Sequence, residues 1–88
     1  MASNMSRSAL GEVLITLGSA QELSERLSPL SPDHESVALV VASMKVLQRS
    51  LTGTSGATTL VINHSRATVA QAREVLAEVE RRQRRGGV

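Results

Sequence analysis

The chain has 88 residues, a formal net charge of +2, no cysteine and no aromatic residue. A domain of this size buries only roughly 60–65% of the surface that its unfolded chain exposes. Disulfides, thiolate metal sites and aromatic packing are excluded, so aliphatic side chains and methionine must supply the core. Small domains without such devices are usually stabilised by association with further chains. The composition therefore predicts a dimer or a larger assembly.

The apolar runs indicate a protein that does not enter a membrane. The longest of them, VALVVA and LVI, are far shorter than the roughly 18–20 residues of a membrane-spanning helix. The run LGEVLITLG near the N-terminus contains Glu12, and it is too broken for the apolar region of a signal peptide. We therefore predict a cytoplasmic protein with no membrane partner.

The first predicted helix covers residues 8–27, after a disordered segment at 1–7. Its apolar residues recur every three or four positions, which is typical of an amphipathic helix. Gly18-Ser19 interrupts the pattern, so the segment is either one helix with a weak point or two short helices. The stripe consists of Leu10, Val13, Leu17, Ala20 and Leu27.

The second predicted helix covers residues 32–51 and follows the break SPLSPDHE. Ser31 has the position of an N-cap with Pro32 as the first helical residue, and Gly53 is a plausible C-cap. Two apolar stripes run along this helix, and a helix that is apolar on two sides is expected to be packed on two sides. It is therefore predicted to be central. The stripes are Val37, Val40, Met44, Leu47 and Leu51, and Leu39, Ala42 and Val46.

The third predicted helix covers residues 57–85, after the short polar hinge TGTSG. Connections this short usually join antiparallel neighbours. The stretch TTLVI favours a strand by propensity, but no other segment offers a strand to pair with it. Ile62, Val69 and Leu76 lie seven residues apart, which favours one helix through Asn63. A second stripe runs alongside and consists of Val61, Thr68 and Val75.

The predicted fold is an all-α three-helix bundle, a helical hairpin plus an N-terminal helix, completed by dimerisation. The bundle spans residues 8–80 and is followed by a basic tail at 81–88. The main stripes of the second and third helices are predicted to form the core or the interface with a second copy or another protein. These residues are Val37, Val40, Met44, Leu47, Leu51, Ile62, Val69, Leu76 and Val79.

The positive charge is concentrated in ERRQRR near the C-terminus. Without its four arginines, the chain has six basic and eight acidic residues. Such a cluster can bind phosphates or acidic surfaces, but a solvated helix end also favours cations because they complement the helix dipole. The four residues are Arg81, Arg82, Arg84 and Arg85.

No motif predicts catalysis. His34 and His64 are the only histidines, and neither has another histidine at the i+3 or i+4 spacing of metal ligands. The chain lacks GxSxG, GxGxxG and P-loop patterns, and its carboxylate pairs fall on solvated helix faces. We therefore expect no enzyme activity, cofactor, metal ion or small-molecule substrate.

The segment TTLVINHSRATVAQAREVL resembles the turn and recognition helix of bacterial helix-turn-helix repressors, whose second helix often begins SRATV. The resemblance implies that Asn63 takes the left-handed turn and that Val69 and Ala72 are buried. It departs from the pattern at His64, where an aliphatic residue is expected, and at Arg73, where leucine is common. Duplex DNA would then contact Ser65, Arg66, Thr68 and Gln71 together with the arginines of the tail.

The size, the two helical arms and the LTG turn are similar to those of WXG-type helical-hairpin proteins. Leu51 stands where that family has its tryptophan, so the chain is not assigned to it.

The sequence best fits a non-enzymatic interaction module, an adaptor, assembly or regulatory factor that acts as a homo-oligomer and binds another protein. The alternative is a DNA-binding regulator that uses residues 59–72 and the arginine tail.

Overall fold

A computed structural model describes residues 4–52 and 58–86. These residues form three helices, α1 (Asn4–Arg26), α2 (Pro32–Leu51) and α3 (Thr59–Gly86), and they contain no strand. The helices pack side by side in a bundle that measures 50 × 18 × 16 Å. The predicted all-α three-helix fold is confirmed, whereas the dimer stays a prediction.

Helix α1 is one continuous helix. It begins at Asn4, so residues 4–7 are helical rather than disordered, while residues 1–3 lie outside the described part. The predicted weak point at Gly18-Ser19 does not break the helix, because residues on both sides of it are buried against α2 and α3. Tertiary packing therefore overrides the poor helix propensity of glycine.

The start of α2 follows the predicted capping pattern. Ser31 has an extended backbone, with φ −70° and ψ 135°, and its hydroxyl accepts a hydrogen bond of 3.2 Å from the Asp33 N–H. Pro32 occupies the first turn, where no intrahelical N–H is needed. At the other end, the Thr52 N–H donates to the Gln48 carbonyl at 3.0 Å. The predicted C-cap Gly53 lies outside the described residues.

Helix α3 begins with the stretch that has strand propensity. The Thr58 hydroxyl accepts from the Val61 N–H at 3.2 Å, and its carbonyl accepts from the Ile62 N–H at 3.0 Å. The first bond satisfies a donor that would otherwise be orphaned at the helix start, and the second is the first backbone hydrogen bond of the helix. The helix then runs through Asn63 without a break, so the prediction of one helix is confirmed here.

The core lies inside a single chain. All nine residues predicted as core or interface are buried. The first helix adds Ala9, Val13, Leu17, Ala20 and Leu23 to the same cluster, and Leu27 joins it from the loop that follows. The nine therefore belong to the core of one chain, and contact of any of them with another chain stays a prediction. The nine are Val37, Val40, Met44, Leu47, Leu51, Ile62, Val69, Leu76 and Val79.

Helix α1, and not α2, is the central element. It packs extensively against both other helices, whereas α2 and α3 share the smallest contact of the three pairs. The second apolar stripe of α2 consequently stays bare, with Leu39 64% and Val46 61% exposed. The prediction that α2 is packed on two sides is wrong within one chain.

Ser65 is the one polar side chain in the core of the described residues without a hydrogen-bond partner. Its exposure is 0%, and its hydroxyl finds no acceptor or donor there. The buried hydroxyl of Thr16, by contrast, donates to the Glu12 carbonyl at 2.7 Å. A buried polar group that lacks its bond costs about 1–3 kcal/mol.

We expect Ser65→Ala to raise the free energy of unfolding by about 1 kcal/mol, because it removes an unsatisfied hydroxyl and alanine is the better helix former. The measurement is urea denaturation followed by far-ultraviolet circular dichroism, since the chain has no aromatic fluorophore. Thr16→Ala is the control and should lower the stability, because that hydroxyl is satisfied. A loss of stability in Ser65→Ala would contradict this account.

Candidate interaction surfaces

A groove separates α2 from α3 on the side of the bundle away from α1. Because these two helices share little contact, a cavity of about 300 Å³ lies between them. Val40, Met44 and Ala72 form its buried floor, and the exposed side chains of Leu39 and Val75 form its walls. The full lining is Ser36, Leu39, Val40, Ser43, Met44, Thr68, Gln71, Ala72 and Val75.

None of the residues that line the groove carries a charge. Its polar residues are two serines, a threonine and a glutamine, and none of them titrates near neutral pH. General acid–base catalysis needs a titratable group, and nucleophilic catalysis needs a hydroxyl beside a base, and this lining supplies neither. What such a surface can do is bury the apolar side of another helix.

Both walls of the groove continue along their helices as stripes that contain no carboxylate, lysine or arginine. On α2 the stripe alternates small and aliphatic residues at steps of three and four, so its members share one helix face. The stripe of α3 has the same spacing. The members are Ser36, Leu39, Ser43, Val46 and Ser50 on α2, and Val61, His64, Thr68, Gln71 and Val75 on α3.

An ion pair joins α2 to α3 at one end of the groove. The Arg82 guanidinium donates to both carboxylate oxygens of Asp33, with Nη2–Oδ1 at 2.8 Å and Nε–Oδ2 at 3.2 Å. Its Nη1 also donates to Glu78 Oε1 at 3.3 Å, and Arg81 pairs with the same carboxylate. A two-pronged contact of this kind fixes geometry more strongly than a single bond. It links the C-terminal part of α3 to the first turn of α2.

The ion pairs at this end shift the pKa values of Glu78 and Arg82. The hydrogen bond from Arg81 holds the pKa of the Glu78 carboxyl below its ordinary value of 4.5, and the charges of Arg81, Arg82 and Arg85 act in the same direction. The hydrogen bond to Asp33 raises the pKa of Arg82. Because the folded-state pKa of Glu78 is depressed, its stabilising contribution is present above the ordinary value and is lost as the pH falls through the lower one.

Carboxylates lie at the same end of the bundle as the arginine tail and offset its formal charge. At this end of the bundle, which comprises residues 22–36 and 78–86, five arginines stand against six carboxylates, a formal net charge of −1. Phosphate backbones are attracted by a surplus of positive charge, which this end lacks. The residues are Arg26, Arg81, Arg82, Arg84 and Arg85, and Glu22, Glu25, Asp33, Glu35, Glu78 and Glu80.

The residues that the repressor resemblance assigns to DNA do not share one surface. Ser65 is completely buried, so its hydroxyl is not available, whereas Arg66 and Gln71 are exposed. The Thr68 hydroxyl donates to the His64 carbonyl at 2.8 Å. Because α3 continues through this segment, the described chain lacks the turn that the resemblance requires. Binding of duplex DNA stays a prediction without that support.

The groove was not predicted as a site, although its components could have been. Leu39 and Val75 each belong to the second apolar stripe of a helix, and the short hinge predicts that these helices are neighbours. The missing information is whether another helix covers the stripes. Spacing alone cannot reveal this, because a buried stripe and a bare one look alike in sequence.

Comparison of the chain with protein-family models, curated proteins and solved structures gave no match. Neither resemblance drawn from the sequence is therefore supported by a matched family.

Within 4–52 and 58–86, none of the helices has the length and apolar character needed to cross a membrane. The same residues contain no cluster of three side chains suited to a metal ion.

We expect Asp33 and Arg82 to show energetic coupling in a double-mutant cycle. Asp33→Asn and Arg82→Gln should each lower the urea midpoint, and the double variant should lower it by less than the two shifts combined. Added salt should reduce the coupling, because the guanidinium is half exposed. Arg84→Gln is the control and should show no coupling to Asp33. Additive effects of the first pair would show that the ion pair does not join the helices.

Proposed function

We propose that this chain is a non-enzymatic protein-interaction module whose α2–α3 groove receives an amphipathic helix of a partner protein. One observation carries the proposal, namely an uncharged groove whose aliphatic walls remain exposed beside a well-buried floor. Apolar grooves between two helices are a recurrent receptor for a third helix, which inserts anchors at i, i+3 or i+4 and i+7. An adaptor, assembly or regulatory role would use such a groove.

The floor of the groove defines what the partner helix should carry. Met44 has a flexible side chain that adapts to different shapes, and the small Ala72 leaves depth above it. Aromatic residues and arginine dominate the energetic hot spots of interfaces. Since this chain has no aromatic residue, we propose that the partner provides the large aromatic or aliphatic anchors.

Two features weigh against the alternative of a DNA-binding regulator. The helix runs through Asn63, and the arginines of the tail are balanced by carboxylates at the same end of the bundle. The cytoplasmic location expected from the sequence stays a prediction, which cell fractionation tests. Homo-oligomer formation concerns a different surface and is treated below.

The proposal is tested with a displayed library of amphipathic helical peptides, selected for binding to the folded chain. Leu39→Glu and Val75→Glu should each weaken the binding of selected peptides at least about tenfold, because a charge in the groove must be desolvated without a partner. Leu30→Glu is the matched control, since Leu30 is exposed in the loop between α1 and α2. It should leave the affinity unchanged.

Equal affinities for the groove variants and the Leu30 variant would contradict the proposal. Circular dichroism should be unchanged in all three variants, because the substituted side chains are exposed or half-exposed. A mobility shift of duplex DNA that is steeply salt-dependent and weakened by Arg66→Ala would instead support the regulator.

A further inference from the structure

The outward face of α1 carries a second apolar patch, which the rest of the described chain leaves uncovered. Leu14 is 43% and Ile15 66% exposed, although both lie in the middle of the helix. Gly11 and Gly18 lie one turn to either side on the same face. A Cβ atom added at either glycine would meet nothing within 4 Å.

The fold does not account for these two glycines. Glycine is a poor residue for a helix interior, and it is usually kept where another backbone comes close or the chain needs a positive φ. Here both lie inside a regular helix with open space in front of them. A second helix lying across this face would use that space, because the missing side chains let two backbones approach.

The face matches a reversed copy of itself. When a second α1 runs antiparallel about the midpoint between Leu14 and Ile15, Gly11 falls level with Gly18 of the second copy. Leu14 then lies beside its own counterpart at the two-fold axis. Arg7 falls level with Glu22 of the second copy, and the symmetry repeats each contact twice.

Charge selects this arrangement over its alternatives. Arg7 and Glu22 are both exposed, and they flank the patch at opposite ends of α1. An antiparallel pair joins the two opposite charges, whereas a parallel pair in register would place like charges together. The complementarity lies within one sequence, so it fits a second copy of this chain.

We propose that the chain forms a two-fold symmetric homodimer through the outward face of α1. The contact runs from Arg7 to Glu22, about 24 Å at 1.5 Å per residue. One pair of helices over this length buries on the order of 1,000 Å², which is the lower limit for a specific interface. The dimer is therefore reversible and depends on concentration. It goes beyond the proposed function, because this face and the α2–α3 groove lie on opposite sides of the bundle.

The first experiment is a charge exchange measured by sedimentation equilibrium with interference optics. Arg7→Glu and Glu22→Arg should each weaken dimerisation about tenfold, because each creates two repulsive pairs across the two-fold axis. The variant with both substitutions should recover the wild-type dissociation constant within about threefold. A wild-type chain that stays monomeric at millimolar concentration would overturn the proposal, and so would a double variant that does not recover.

A second measurement separates the dimer from simple helix stability. The Gly11→Ala Gly18→Ala variant should raise the thermal midpoint of unfolding, since alanine favours helix and meets no clash within the chain. The same variant should weaken the dimer at least about fivefold, because the added methyl groups separate the two helices. A stabilised variant with an unchanged dissociation constant would overturn the proposed contact.

Cross-linking locates the axis, and the absence of native cysteine makes it specific. Leu14→Cys should form an intermolecular disulfide rapidly, because two equivalent residues meet at the two-fold axis. Leu39→Cys, in the groove, should not. Rapid cross-linking at Leu39 together with loss of the dimer in Leu39→Glu would overturn the α1 interface and assign self-association to the groove. Failure of the dimer with intact peptide binding leaves the proposed function standing.

Discussion

The packing of the inward stripe of α1 against both α2 and α3 is the interaction on which the rest of the structure depends. With no phenylalanine, tyrosine, tryptophan or cysteine, the core has to be built from aliphatic side chains of modest size. Helix α1 covers the stripes of both other helices with residues such as Val13, Ala20 and Leu23. Because it takes this central place, α2 and α3 touch each other least. The groove between them follows directly from this arrangement.

Much of the fold could be predicted from local signals. The Ser31-Pro32 pair marks the start of α2, since capping and the fixed φ of proline act within one turn. The period of seven through Ile62, Val69 and Leu76 overrides the strand propensity of TTLVI, because an isolated strand has no hydrogen-bonding partner. These features depend on residues that are near each other in sequence, and for that reason they can be recognised there.

The central position of α1 and the ion pair between α2 and α3 could not be predicted in the same way. Asp33 and Arg82 are 49 positions apart, and nothing in either segment indicates the other. The sequence shows how many faces of a helix are apolar, but it does not show which of these faces a neighbouring helix covers. Ser65 is different, because its spacing from Ile62 and Val69 already places it in the core stripe. The resemblance to a repressor motif assigns Ser65 to a contact with DNA instead.

The opposite placement of the groove and the outward face of α1 has a consequence for valency. In a dimer joined through α1, the two grooves open in opposite directions and are separated by the width of both bundles. Two helices on one short linker cannot occupy both grooves, because the linker would have to pass around the whole dimer, so the effective concentration of the second helix would be close to zero. Such a dimer therefore gains no avidity from a compact bivalent partner. It is suited to bridging two separate partner molecules.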